Sequence, residues 1–380
     1  MKLPTHVPTS AFPISSRKIQ RLFSGLVFLL LVAQVLLVAP PGTVARAQST
    51  QPQVLYLQTD DAVAPAMVEY IRRGLRLAEA QDFDALVLRL NTPGGTVDAM
   101  NKIVQDLRAS PVPVIVWVAP RGAMAASAGT LITLAGHAAA MAPETSIGAA
   151  SPVGGQGEDL QETMAAKEKN MLKAIVLSLA SQRGEAAIRL AESAIESAQA
   201  ATAQEALDAG LVDVLAADLE DLLGQLDGKT VLVNDEAQTL RLSGAAVREL
   251  SPSLIEQLLA ILASPNIVYL LIAIGIQAIL IEISSPGGWV AGFIGVVCLA
   301  LAIYGLGFLP VNWFGILFLI VAFVLFILDI KAPTHGALTA AGVATLIAGA
   351  LVLFNSPNVP SIQRVSVPLV VGVGVGFGLM

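Results

Sequence analysis

Ala85-Leu86-Val87-Leu88-Arg89-Leu90-Asn91-Thr92-Pro93-Gly94-Gly95 decides the fold. A six-residue run with one charge, closed by turn residues, is the pattern of a strand covered on both faces, as in a parallel sheet. Thr96 to Leu107 then reads as a helix. Two consecutive glycines at its entrance let main-chain N–H groups face a cleft at a helix N-terminus, where developing negative charge is stabilised. A turn that needs only positive φ explains the same glycines. No G-x-G-x-x-G is present, which disfavours a dinucleotide site.

Outward from this stretch, strands and helices alternate. Val54 to Leu57 reads as a short strand, and Ala64 to Ala80 as a helix with Met67, Ile71 and Leu75 on one face. Downstream follow a strand at Val112 to Val118, a short helix at Ala125 to Ala135 and a strand at Ala138 to Ala142. Beyond a Gly/Pro-rich loop at 152–157, helices are expected over about 162–182 and 185–199. A further helix starts at Thr202 and ends at Gly210, before a strand at Leu211 to Val214. The alternation predicts an α/β domain with mostly parallel strands.

That domain occupies only part of the 380 residues. With 55% hydrophobic residues, 13% charged and a mean hydropathy of +0.71, the chain is not a single soluble globule. Its net charge of −7 argues against nucleic acid as a partner. One cysteine, Cys298, excludes a disulfide framework and a cysteine-ligated zinc site, and His6, His137 and His335 lack metal-ligand spacing. No metal or cofactor is expected. Residues 1–47 hold five basic and no acidic residues, residues 265–380 two of each, and the 15 basic and 27 acidic residues between them make an acidic soluble block.

Arg17, Lys18 and Arg21 precede the apolar run Leu22 to Ala39, and Ala45-Arg46-Ala47 follows it. Residues 1–47 are therefore a signal peptide or an N-terminal anchor, and the basic flank sends the soluble block, assigned to 48–250, to the extracytoplasmic side. Residues 251–380 form a transmembrane domain of four to five helices. Its spans are expected at 266–283, 290–309, 312–330, 336–354 and 366–380, separated by Pro286-Gly287-Gly288, Pro310, Pro333 and Pro357/Pro360. Glu282 and Asp329 fall at span ends, where snorkelling accounts for them. The abrupt stop at Met380 has the look of a truncation.

Ala123-Met124-Ala125-Ala126-Ser127-Ala128-Gly129-Thr130 is the second element with chemical potential. Small neighbours would let a substrate backbone approach the Ser127 hydroxyl at a helix start, although an N-cap serine has the same local sequence. A serine nucleophile needs a base. His137, ten residues along, would lie about 15 Å away on a helix, so a Ser-His-Asp triad is disfavoured. A lysine kept neutral by desolvation is the other option. Among Lys102, Lys167, Lys169, Lys173 and Lys229, the apolar approach Met164-Ala165-Ala166 favours Lys167, while Lys169 and Lys173 lean toward solvent. Lys169 stays open as the alternative.

Thr92-Pro93-Gly94-Gly95, Ala126-Ser127-Ala128-Gly129-Thr130, Met141-Ala142-Pro143, Thr145-Ser146-Ile147-Gly148-Ala149 and Glu205-Ala206-Leu207-Asp208-Ala209-Gly210-Leu211-Val212-Asp213 occur in that order. With Pro265-Asn266 opening the first span, they make the chain resemble the long membrane-bound NfeD proteins. These are serine proteases of the Clp-protease/crotonase-like superfamily, related to signal peptide peptidase A. The resemblance implies a spiral of ββα units followed by an all-α multi-span domain. It implies a serine endopeptidase with a Ser-Lys dyad: Ser127 as nucleophile, Lys167 as general base, Gly95 and Ala128 as oxyanion-hole donors, and Gly94 shaping the turn. It further implies a homodimer in a bacterial plasma membrane, acting on apolar segments of stomatin- or flotillin-like proteins. A small OB-like domain common after the last span is absent. The alternative is an inactive membrane scaffold that binds such partners through the same cleft, favoured if Lys167 is exposed.

Overall fold

A computed structural model of the chain describes residues 51–151, 162–285, 287–309, 311–332, 334–355 and 364–378. The N-terminal segment 1–47, the loop at 152–157 and the prolines expected between spans, Pro286, Pro310, Pro333, Pro357 and Pro360, lie outside them.

The strands β1 (Gln53–Thr59), β2 (Ala85–Leu90), β3 (Val114–Val118), β5 (Ala138–Met141), β8 (Val214–Leu215) and β11 (Ala246–Glu249) form one parallel sheet. Its order is β11-β1-β2-β3-β5-β8. β3 is buried at every position, as its unbroken apolar run requires. Helices α1 (Pro65–Ala80), α2 (Val97–Arg108) and α3 (Ala128–Ala135) follow β1, β2 and the three-residue strand β4 (Met124–Ala126). Met67, Ile71 and Leu75 of α1 face the core as expected.

A second, smaller sheet turns this arrangement into a spiral. β4 pairs in parallel with β6 (Ser146–Gly148), and β6 pairs antiparallel with β7 (Ala200–Thr202). Parallel bridges Val63–Gly95 and Thr92–Ala125 extend the ribbon back through the two preceding units. Each unit therefore runs from a main-sheet strand through a short crossing segment to a helix, the expected ββα repeat. The helix expected from Ala125 begins only at Ala128, because Met124 to Ala126 pair as a strand. The fourth helix, α4 (Glu162–Ala180), packs beside α3 and α5 (Glu185–Glu196). α6 (Ala203–Asp208) carries a capping box between Thr202 and Glu205. α7 (Leu219–Leu226) and the hairpin β9 (Thr230–Val233) and β10 (Glu236–Thr239) complete the domain. Asn234 and Asp235 both take positive φ at the two-residue hairpin turn.

After β11 comes α8 (Leu254–Leu262), then α9 (Pro265–Ser284), α10 (Val290–Leu306), α11 (Trp313–Lys331), α12 (Ala337–Phe354) and α13 (Val367–Gly378). All five expected spans are helices. α9, α11 and α12 are long and apolar enough to cross a membrane, whereas α10 and α13 are shorter apolar helices. Gly315, Gly342 and Gly349 let α11 and α12 approach closely: a Cβ at Gly315 would lie 2.5 Å from Leu353. The Asn312 N–H donates to Leu353 O, and the Ser366 N–H donates to Asn266 Oδ1. These contacts gather the starts of α9, α11 and α13 and the end of α12 at the end of the bundle nearer the α/β domain.

Glu282 and Asp329 are bound locally at the span ends. The Glu282 carboxylate accepts N–H donors from Gly287, Trp289 and Gly292 and closes the turn into α10. Asp329 accepts from the hydroxyls of Thr334 and Thr339.

Candidate active site

The two crossing segments that follow β2 and β3 meet at the C-terminal end of the main sheet. Thr92 N–H donates to Met124 O at 2.7 Å, and Ala126 N–H donates to Thr92 O at 3.0 Å. These bonds lay the Thr92–Gly95 turn across the strand that leads into Ser127.

Ser127 occupies the turn between β4 and α3 with φ +51° and ψ −117°. That region is costly for a side chain bearing a Cβ, and such conformations cluster at functional sites. Its amide donates to Gly148 O at 2.9 Å, and Thr130 Oγ1 accepts from Gly148 N–H at 3.0 Å, which secures the turn. Ser127 stands at the N-cap position, yet its side chain makes no capping hydrogen bond. The hydroxyl is held on a sharp strand-to-helix turn without a structural task, the placement a nucleophile needs.

Gly94 packs directly against it, and Gly95 against Val63. Gly94 has φ +107°, and a Cβ there would come within 2.7 Å of the Ser127 Cβ. A Cβ on Gly95 would lie 2.1 Å from Val63 O. Both glycines are therefore required by close approach. The Gly94 N–H donates to Thr92 Oγ1 at 3.2 Å, so this amide is spoken for and the residue shapes the turn. Among the described residues, the amides of Gly95 and Ala128 have no hydrogen-bond acceptor. Among the described residues, one free amide thus follows the serine directly and the other follows Gly94, which packs on it.

The three lysines of α4 divide differently from expectation. Lys169 Nζ donates to Glu196 O at 3.2 Å, and Lys173 pairs with Glu196 at 2.7 Å and Glu192 at 3.5 Å. Both are committed to α5 rather than to solvent. Leu172, Val176 and Ala180 form the buried stripe of α4, and Lys167, on another face, is exposed. Among the described residues Lys167 has no hydrogen-bond or ion-pair partner.

Neither histidine nor aspartate supplies a triad here. His137 Nδ1 accepts from Val114 N–H at 2.9 Å at the start of β3. That is the opposite end of a five-residue strand, about 13 Å from the Thr92 end. Burial, aided by the Arg108 charge, lowers the His137 pKa to about 4. Asp213 also lies at the strand starts, accepting from Ala139 N–H and pairing with Arg183 and Lys229. Burial alone would raise its carboxyl, but those partners hold it below its ordinary value. These are structural groups, and nothing in the sequence pattern marked them as such.

The depressed His137 has a consequence for stability. Between about pH 6.5 and 4 the unfolded chain binds a proton that the folded imidazole refuses, so stability falls as pH drops through that window. The loss is on the order of 2–3 kcal/mol. His137→Asn, which keeps an acceptor for Val114 but does not titrate, is expected to flatten this part of the profile in thermal melts. A variant whose melts track wild type from pH 7 to pH 4.5 would refute the assignment.

A cleft of about 740 Å³ opens beside the site. Pro93, Met67, Asp60 and Asp61 form one side, and Ile261 and Pro265 of the α8–α9 junction the other. Burial, then the neighbouring Asp60 charge, raises the Asp61 carboxyl. Asp60 is paired with Arg89 and accepts from Asn91, whose Oδ1 in turn accepts from Met124 N–H. The cleft wall is thereby tied to the strand that carries Ser127.

Residues 53–236 match the family model for the NfeD1b N-terminal domain, and residues 266–380 that for the NfeD integral membrane domain. The chain is 41% identical over 286 residues to the membrane-bound protease PH1510 of Pyrococcus horikoshii, covering 74% of this chain and 65% of that protein. It thus spans about two thirds of that relative's length. Two solved structures of a membrane-bound stomatin-specific protease, 1510-N, are similar to the α/β domain. A lysine-to-alanine mutant in complex with a substrate peptide has 34% identity and a TM-score of 0.52, over 56% of this chain and 97% of that one. A serine-to-alanine mutant has 35% identity and a TM-score of 0.50, over 53% and 99%. With an α/β domain that matches the NfeD1b N-terminal domain ahead of a helical NfeD membrane domain, the chain belongs to the NfeD family of membrane proteins.

Proposed function

We propose that this protein is a membrane-anchored serine endopeptidase that cleaves apolar segments of membrane-associated, stomatin-like proteins. The observation that carries the reading is Ser127: positive φ, no structural hydrogen bond from its hydroxyl, and unpaired amides of Gly95 and Ala128 beside it. In the proposed reaction Ser127 Oγ attacks the peptide carbonyl carbon while its proton passes to neutral Lys167 Nζ. The Gly95 and Ala128 amides hold the oxyanion. Lys167 then returns the proton to the leaving nitrogen as the C–N bond breaks, and water hydrolyses the acyl-enzyme by the same route. Lys167 is exposed, so an apolar segment lying across it would itself exclude water from the amine.

The relatives support this reading: one is named a membrane-bound protease, and the solved mutants replace a serine and a lysine. The cleft between Pro93 and the α8–α9 junction suits a peptide that leaves the bilayer. In this reading the protease domain faces the extracytoplasmic side of a bacterial plasma membrane and works as a homodimer. The exposure of Lys167 is the one observation that favours an inactive scaffold instead.

A fluorophosphonate probe applied to the full chain in lipid vesicles separates the two. Labelling is expected on the tryptic peptide containing Ser127, and an apolar substrate peptide should suppress it. No adduct at Ser127, together with no cleavage of that peptide, would leave the scaffold reading in its place.

A further inference from the structure

α8 is built inside out for a helix on a water-soluble surface. Its one charged residue, Glu256, is 6% exposed, whereas Leu254 is 72% exposed, Ile255 70%, Leu258 52% and Ile261 47%. At 100° per residue these four apolar side chains fall within an arc of about 120°, with Glu256 opposite. Glu256 is fully occupied on the protein side. Its carboxylate binds Arg73 of α1 through two bonds, at 2.8 and 2.7 Å, and accepts from Ser253 N–H in a capping box. Arg73 also donates to Ser251 O, and the Tyr70 hydroxyl donates to Leu250 O. The polar side of α8 is thus fastened to the α/β domain, leaving an uncharged apolar face turned outward.

The position of α8 identifies what covers that face. Only Ala263 and Ser264 separate it from α9, the first membrane-spanning helix. Its last carbonyl, of Leu262, sits against Gly305 in the final turn of α10, where a Cβ would come within 2.4 Å. Exposed Trp313 and Phe314 begin α11 at this same end of the bundle, as aromatic side chains do at a membrane interface. The apolar arc is therefore continuous with lipid-facing surface.

We propose that α8 is an interfacial helix: Leu254, Ile255, Leu258 and Ile261 rest in the headgroup–acyl boundary, while the Arg73–Glu256 pair holds the α/β domain against the bilayer. An uncharged apolar face with a polar opposite side is the composition that lies in the plane of an interface. In this seating the cleft lined by Ile261 and Pro265 opens at the lipid surface. The proposal is independent of whether Ser127 cleaves peptides.

The test uses the full chain with Cys298 replaced by alanine, reconstituted in 3:1 phosphatidylethanolamine:phosphatidylglycerol vesicles. Leu258→Cys and Ile255→Cys are each spin-labelled, with Glu185→Cys on α5 as a water-facing control. Both arc positions are exposed, so labelling them leaves the core untouched, and each supports the test if the other variant expresses poorly. At the arc positions, collisions with a water-soluble nickel chelate are expected to fall about fivefold or more below the control, while collisions with oxygen rise. Nickel accessibility equal to the control would overturn the proposal in favour of a water-facing helix. Spin–spin broadening that disappears on dilution with unlabelled protein would overturn it in favour of contact between two copies.

Discussion

Ser127→Ala is expected to reduce peptide cleavage by at least about a thousandfold, leaving only the assistance that binding and the oxyanion donors provide. The fold should be unaffected. Among the described residues the hydroxyl makes no hydrogen bond, and alanine meets the same backbone cost at φ +51° that serine does. A glycine at this position separates the two roles of the turn. Ser127→Gly is expected to be equally inactive yet to melt at a higher temperature, by the equivalent of about 1–2 kcal/mol, because glycine adopts positive φ without penalty. Initial rates on an apolar peptide, read beside thermal melts of the same preparations, check both statements. Alanine and glycine variants that retain the wild-type rate would remove Ser127 from the chemistry.

Lys167→Ala is expected to cost a similar factor, about a thousandfold, because without a base the serine proton has no acceptor. Lys167→Arg should be as inactive, since a guanidinium stays protonated at any working pH. Lys169→Ala provides the contrast. Its amine already donates to Glu196 O on α5, so its removal should change the rate less than about threefold. A Lys167→Ala enzyme that keeps its rate would place the base elsewhere. Loss in Lys169→Ala alone would identify that residue instead.

Much of this organisation was legible along the chain. The buried strand ending at Leu90, the glycine pair after it and the five apolar spans all appear where local pattern predicted them. Strands of three residues did not. Met124 to Ala126 reads as part of an alanine-rich helix, and β6 and β7 are too short to show alternation, yet these segments form the sheet that turns the repeats into a spiral.

By itself, then, the sequence determined which segments are buried and which form long apolar helices. Periodicity and composition are local properties, and burial of apolar surface acts on them directly. Tertiary structure alone decided the rest. It set the strained turn at Ser127, the commitment of Lys169 and Lys173 to Glu196, the confinement of His137 to the far end of the sheet, and the burial of Glu256 beneath an exposed run of leucine and isoleucine. Each depends on partners tens of residues or more away, from Lys173–Glu196 to Arg73–Glu256. A hydrogen bond or ion pair across such a distance is chosen by packing, which no local pattern records.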